Sequence, residues 1–260
     1  HRGIPVTVPL GDNQASFLGA VAEPLRSLHL NLGTGGQASA YTSRHGRPAG
    51  LDIRPYPGGG FLFVGASICG GRAYALLASF FRRCVQLFGG TVPDLDEVYR
   101  VMEELDLPGI TGGSPDGAPG GSTAEAPAQA PAGGLEVDTR FQGTRTEPER
   151  TGAVAGITPY NFTPEHLTAG FLEGIAGELH GFFELMPGDL RDRIDLLVGS
   201  GNALRMNRRL QGALERRFGR PLRVPRHTEE AAFGAAIGAA VGTGALPSFL
   251  QAGRAVLRFY

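Results

Sequence analysis

Three short stretches hold residues whose types and spacing could handle a phosphorylated ligand. Leu32-Gly33-Thr34-Gly35-Gly36 and Val198-Gly199-Ser200-Gly201-Asn202 each place small residues directly behind an apolar run. A strand that ends in glycine lets a ligand approach the main chain closely and leaves amide N–H groups to face an anion. Where a helix starts next, its dipole strengthens that preference. The third stretch is Leu10-Gly11-Asp12-Asn13-Gln14-Ala15-Ser16, in which Asp12 has no basic neighbour in sequence. A carboxylate at such a junction has two readings. It can cap a helix, or it can stand at the mouth of a cleft and accept the proton of a hydroxyl attacking phosphorus. One glycine turn is equally well a tight turn. Two in one α/β domain point to a nucleotide cradle, because in an open sheet such turns lie together at the carboxyl ends of strands.

Composition narrows the chemistry further. The 24 basic residues are all arginine, which removes a Walker-type lysine, a Schiff-base lysine and a pyridoxal anchor together. Phosphate must then be held by backbone amides, hydroxyls or arginine. A net charge of −1 gives no general attraction to nucleic acid or to an anionic membrane. Cys69 and Cys84 are too few for a disulfide framework or a thiolate zinc site and read as packed thiols. The six histidines lack metal-ligand spacing, and Ser200 lacks the Gly-x-Ser-x-Gly frame of a nucleophile elbow. No metal site is expected on this chain. No apolar run reaches the length of a membrane span, and no signal peptide opens the chain, so a cytoplasmic location is expected. The first residue is His1 rather than Met, and an upstream part is expected.

These groups need elements to position them, and 260 residues suffice for one large α/β domain. Ile4 to Val8 reads as a β-branched strand, Asn13 to Val21 as a helix, and Leu28 to Leu32 as a half-buried strand alternating apolar and polar. Gln37–Tyr41, Leu51–Ile53 and Gly60–Val64 follow as strands. A helix over 72–88 carries Ala73, Leu76, Leu77, Phe80, Phe81, Cys84 and Leu87 on one face, and a polar helix spans 94–105. Residues 108–134 are dominated by Gly, Pro, Ala, Ser and Thr and read as a flexible surface insertion. Beyond it come an arginine-rich loop over 135–150, with Arg140, Arg145 and Arg150 read as solvated, and a helix over 164–185 begun by Thr163-Pro164-Glu165. A buried strand over 194–198 follows, then a helix from Asn202 to Phe218 with Arg205, Arg208, Arg209, Arg216 and Arg217 on an exposed face. A short strand over 222–224 leads to a small-residue helix over 229–241, able to pack very close to a neighbour.

Taken in order, Gly11-Asp12-Asn13-Gln14-Ala15-Ser16, Asn31-Leu32-Gly33-Thr34-Gly35, Gly65-Ala66-Ser67, Gly143-Thr144-Arg145-Thr146-Glu147-Pro148, Gly199-Ser200-Gly201-Asn202-Ala203-Leu204 and Glu230-Ala231-Ala232-Phe233-Gly234-Ala235-Ala236 resemble the C-terminal half of FGGY-type carbohydrate kinases. Within that family the sequence is most similar to the sedoheptulokinase branch. The resemblance implies a ribonuclease H-like, actin-like ATPase domain, a mixed sheet flanked by helices. It also implies a missing N-terminal domain across a cleft that takes ATP, Mg2+ and a sugar. Asp12 then matches the catalytic base and Asn13 a sugar-contacting position. Gly33, Thr34 and Gly35 match the phosphate turn, Gly65 or Gly71 a phosphate-side glycine, and Gly199, Gly201 and Asn202 the nucleoside side. Arg205 stands where some relatives carry asparagine and is left out of the site. The implied reaction is transfer of the γ-phosphoryl group to a ketose hydroxyl, with the isolated chain inactive. The alternatives are a non-catalytic actin-like ATP module and a kinase for xylulose, ribulose or glycerol. Pairing with a separate N-terminal polypeptide, or with a second copy as a homodimer, stays open at this stage.

Overall fold

The chain enters along residues 3–10 and turns at Gly11 into α1 (Asp12–Ala20). Then come β1 (Ser27–Leu32), β2 (Gly36–Thr42), β3 (Asp52–Pro55) and β4 (Phe61–Ser67), followed by α2 (Gly70–Leu87) and α3 (Leu95–Glu104). The second half holds β5 (Glu136–Asp138), β6 (Ala153–Ala155), α4 (Pro164–Glu184), α5 (Gly188–Arg193), β7 (Leu196–Ser200), α6 (Asn202–Met206), α7 (Arg208–Phe218), β8 (Leu222–Arg223), α8 (Glu230–Gly242) and α9 (Phe249–Val256). This computed structural model describes residues 3–46, 48–108 and 134–260. The insertion expected over 108–134 lies, apart from its two end residues, outside the described residues.

Six strands form one mixed sheet in the order β3-β4-β2-β1-β7-β8, antiparallel on the β3 side and parallel from β1 to β8. Successive side chains alternate between its faces. Leu28, Leu30, Leu32 and Leu197 join one core with α2, α4 and α7, whereas Leu62, Val64, Leu196 and Val198 join a second core with α1, α8 and α9. Burying each leucine contributes roughly 2 kcal/mol of transfer free energy. Two helical layers around one sheet therefore account for the alternating pattern.

Several expectations are corrected. β1 is not half-buried: helices cover both faces, and His29 is 1% exposed. Ile4 to Val8 forms no strand; Ile4, Val6 and Val8 stand 63%, 93% and 82% exposed beside α8. On α2 the buried side is Ala73, Tyr74, Leu77 and Ala78, because α3 and α4 cover that side, and Leu76, Phe80 and Leu87 face outward. Residues 135–150 are not simply a loop: β5 pairs antiparallel with β6. Arg140 and Arg150 both grip Asp138 there, and Arg145 pairs with Asp52. The helix expected from Asn202 to Phe218 breaks at Asn207, whose side chain caps α7 by accepting the Leu210 N–H at 2.8 Å. Thr163 caps α4 as its sequence implied.

Candidate nucleotide and acceptor site

The β1–β2 turn, the head of α2 and the β7–α6 turn meet at one end of the sheet, and glycine is what lets them meet. A Cβ on Gly71 would overlap the Gly33 carbonyl oxygen, and one on Gly70 would come 2.6 Å from the Gly35 carbonyl carbon. A Cβ on Gly35 would lie 2.7 Å from the Ser67 carbonyl oxygen. Gly201 has φ +82° and a Cβ there would overlap the Leu32 carbonyl oxygen, so both backbone conformation and space demand glycine. Around Gly33 the situation reverses, since nothing lies within 4 Å of a built Cβ. Gly33, Thr34 and Asn202 are exposed. The interlocked turns thus leave an open approach to the main chain at Gly33 and Thr34.

Not every amide there is available. Gly71 N–H donates to the Gly33 carbonyl at 3.1 Å and Arg72 N–H to the Thr34 carbonyl at 3.1 Å, so the first turn of α2 fastens the hairpin instead of facing outward. Gly33 N–H donates to the Gly35 carbonyl at 3.1 Å. Gly65 lies away from the turns, within β4 opposite Ala38 and beneath the Phe182 ring. Gly199 is buried at the end of β7 against Leu204.

Asp12 opens α1 at the same end of the sheet. It is not the N-cap; Gly11 holds that position, and Ala15 N–H donates to the Gly11 carbonyl at 2.9 Å. The Asp12 carboxylate accepts the neighbouring Asn13 N–H at 2.7 Å, is exposed, and pairs with no arginine among the described residues. Asn13 points inward, 5% exposed, and its amide donates to Gln37 Oε1 at 2.7 Å. Gln37 stands opposite Asn31 in the β1–β2 register, and Asn31 Oδ1 lies 2.7 Å from where a Gly201 Cβ would be. The series Asn13, Gln37, Asn31, Gly201 therefore joins the head of α1 to both glycine turns. Gln37 escaped the sequence reading; its only signal was a polar residue directly after Gly36.

Beneath the site, His29 Nε2 and Ser200 Oγ are 2.7 Å apart, and burial pushes the imidazole down to about 4. Arg205 is the other correction. Its guanidinium is not on an exposed face but folded against Pro225, His227 and Glu230. Arg209 likewise turns inward, donating to the Glu103 and Leu105 carbonyls, whereas Arg208, Arg216 and Arg217 are exposed. Among the described residues no group of three histidine, cysteine, aspartate or glutamate side chains could hold a metal ion. A lone carboxylate at Asp12 does not make a magnesium site.

Comparison with known proteins fits this frame. Residues 31–243 match the C-terminal domain of the FGGY family of carbohydrate kinases, and the chain belongs to that family. Its fold is the actin-like, ribonuclease H-like one of that domain. Xylulose kinase from Rhodospirillum rubrum superposes with TM-score 0.73 at 20% identity, over 96% of this chain and 44% of that one. Gluconate kinase from Lactobacillus acidophilus gives 0.67 at 15%, over 95% and 44%. Plasmodium falciparum glycerol kinase with ADP gives 0.68 at 17%, over 96% and 46%. The chain spans less than half the length of each. No curated protein matches it.

Proposed function

We propose that this chain is the nucleotide-binding half of an ATP-dependent kinase that phosphorylates a sugar or polyol, with a ketose such as sedoheptulose as the acceptor favoured by its motifs. The observation that carries this reading is the exposed Asp12 carboxylate at the same sheet end as the interlocked turns of Gly33–Gly35, Gly71 and Gly201. The Asp12 carboxylate takes the proton of the acceptor hydroxyl while that oxygen bonds to the γ-phosphorus. The bond from phosphorus to the β,γ-bridging oxygen breaks and ADP leaves. Thr34 holds the phosphates, which the open space beside Gly33 lets approach the turn, and Gly201 with Asn202 border the nucleoside. In a complete kinase magnesium would offset the phosphate charge, and among the described residues no carboxylate cluster is placed to hold it.

Replacing Asp12 by Asn in the complete kinase tests the assignment. General-base help is worth roughly 10²–10⁴ in rate, so kcat falls by about that factor with KM for ATP changed little. An unaltered rate would leave Asp12 without the role given to it. The acceptor is decided by kcat/KM across sedoheptulose, xylulose, ribulose, gluconate and glycerol, and a preference for gluconate or glycerol would remove the ketose assignment.

A further inference from the structure

Arg205 links two parts of the site that lie on different elements. Its own amide donates to the Gly201 carbonyl at 2.9 Å, at the glycine turn. Its side chain reaches away from that turn: Nη1 donates to the Pro225 carbonyl at 2.5 Å, and Nη2 to the His227 carbonyl at 2.7 Å and to Glu230 Oε1. The two side chains are only 12% and 10% exposed, and Arg205 Nε is left without a partner. The segment it grips is braced again by the His227 ring stacked on Phe233, centroids 3.8 Å apart.

Glu230 is the first residue of α8, and α8 runs antiparallel to α1 with main chain against main chain. A Cβ on Gly19 would overlap the Glu230 carbonyl oxygen, and one on Gly234 would overlap that of Ala15. No flexible side chain lies between the helices to absorb a displacement, and close-packed interiors transmit such shifts. Ala15 in turn holds the Gly11 carbonyl, across the residue that carries the carboxylate. Stability alone does not explain the arrangement, because desolvation offsets most of what a buried ion pair gains. Orientation does: a planar fork on two carbonyls and a carboxylate fixes direction as well as distance.

We propose that Arg205 is a positioning residue whose clamp on residues 225–230 ties the Gly201 turn to α8 and, through the glycine seam, sets where α1 presents Asp12. This rests on the kinase reading of the site. Amide hydrogen exchange on the 260-residue chain tests it with Arg205→Met, Arg205→Lys and Glu230→Gln. Without ligand, exchange at Gln14–Phe17 rises at least tenfold in Arg205→Met while β1 and β2 stay within twofold, and Arg205→Lys recovers part of the loss. Glu230→Gln, which keeps the shape, moves the same amides about threefold and decides the matter should Arg205→Met fail to fold. With Mg-ADP, the wild-type chain slows at both 201–206 and 12–17, and Arg205→Met at 201–206 alone. A uniform rise across the sheet, or full slowing at 12–17 in Arg205→Met, overturns the proposal. If Mg-ADP supplied well above the millimolar affinity expected of the open site slows nothing in the wild-type chain, the nucleotide reading falls, while the ligand-free pattern still decides the clamp.

Discussion

At Gly201 two separate demands fall on one residue, a φ of +82° and a neighbouring carbonyl where a side chain would begin. Gly201→Ala must both enter a backbone region that costs L-residues about 1–3 kcal/mol and push β1 aside. It is expected to weaken nucleotide binding at least tenfold by calorimetric titration, whereas Gly33→Ala, with open space around it, changes the fold's melting temperature by less than about 2 °C. A melting temperature lowered equally by the two substitutions would contradict the packing described. His29 makes a second prediction. The folded imidazole stays neutral down to about pH 4 because burial disfavours its charge, whereas the unfolded chain takes up that proton near 6.5. Between those values the unfolded state binds more protons, so stability falls as the pH falls, by on the order of 3 kcal/mol in total. In denaturant titrations His29→Gln should flatten this slope by about 1.4 kcal/mol per pH unit. Asp138, held near 2 by Arg140 and Arg150, begins to lose its contribution only below its ordinary 3.8.

Among the elements, α1 and α8 depend most on sequence detail, since their seam is made of glycine and alanine. Gly234→Ala must force the helix axes apart at Ala15, and overpacking of this kind costs about 3 kcal/mol. Chemical denaturation should show that loss, and a variant as stable as the parent would contradict the seam. This part was legible beforehand: the run Ala231, Ala232, Gly234, Ala235, Ala236 can serve little except close approach. So was β1 with its glycine turn, where period-two alternation ends at Gly33. What could not be read was which side of an alternating strand meets solvent. His29 looks like a water-facing position until α1 packs over that face and the Phe17 ring meets the imidazole edge-on, centroids 5.8 Å apart. Arg205 misled for the same reason, because its partners are 20 to 25 residues away and no spacing rule reaches that far. The exposed half of α2 shows the converse, a helical apolar stripe at Leu76, Phe80 and Leu87 that the described residues leave uncovered.

Across the whole molecule, the candidate site is an open face. Asp12, Gly33, Thr34 and Asn202 are all exposed, and the chain covers only 44% to 46% of the kinases it superposes on. Openness has a direct electrostatic consequence. Two unit charges 4 Å apart interact by about 1 kcal/mol in water but about 4 kcal/mol where solvent is partly displaced. Backbone groups that could hold a phosphate firmly inside a closed cleft hold it weakly on an open face, and a hydroxyl beside Asp12 has no second surface to orient it. Much of the barrier reduction in phosphoryl transfer comes from such positioning. The isolated chain is therefore expected to bind Mg-ATP only at millimolar levels and to form no ADP above background with sedoheptulose, xylulose or glycerol. Joining it to an upstream half that supplies the opposing wall should raise turnover at least 10⁴-fold in a coupled ADP assay. Rapid sugar-dependent ADP release by the 260 residues alone would mean that a single wall suffices, and the division of labour argued here would fall with it.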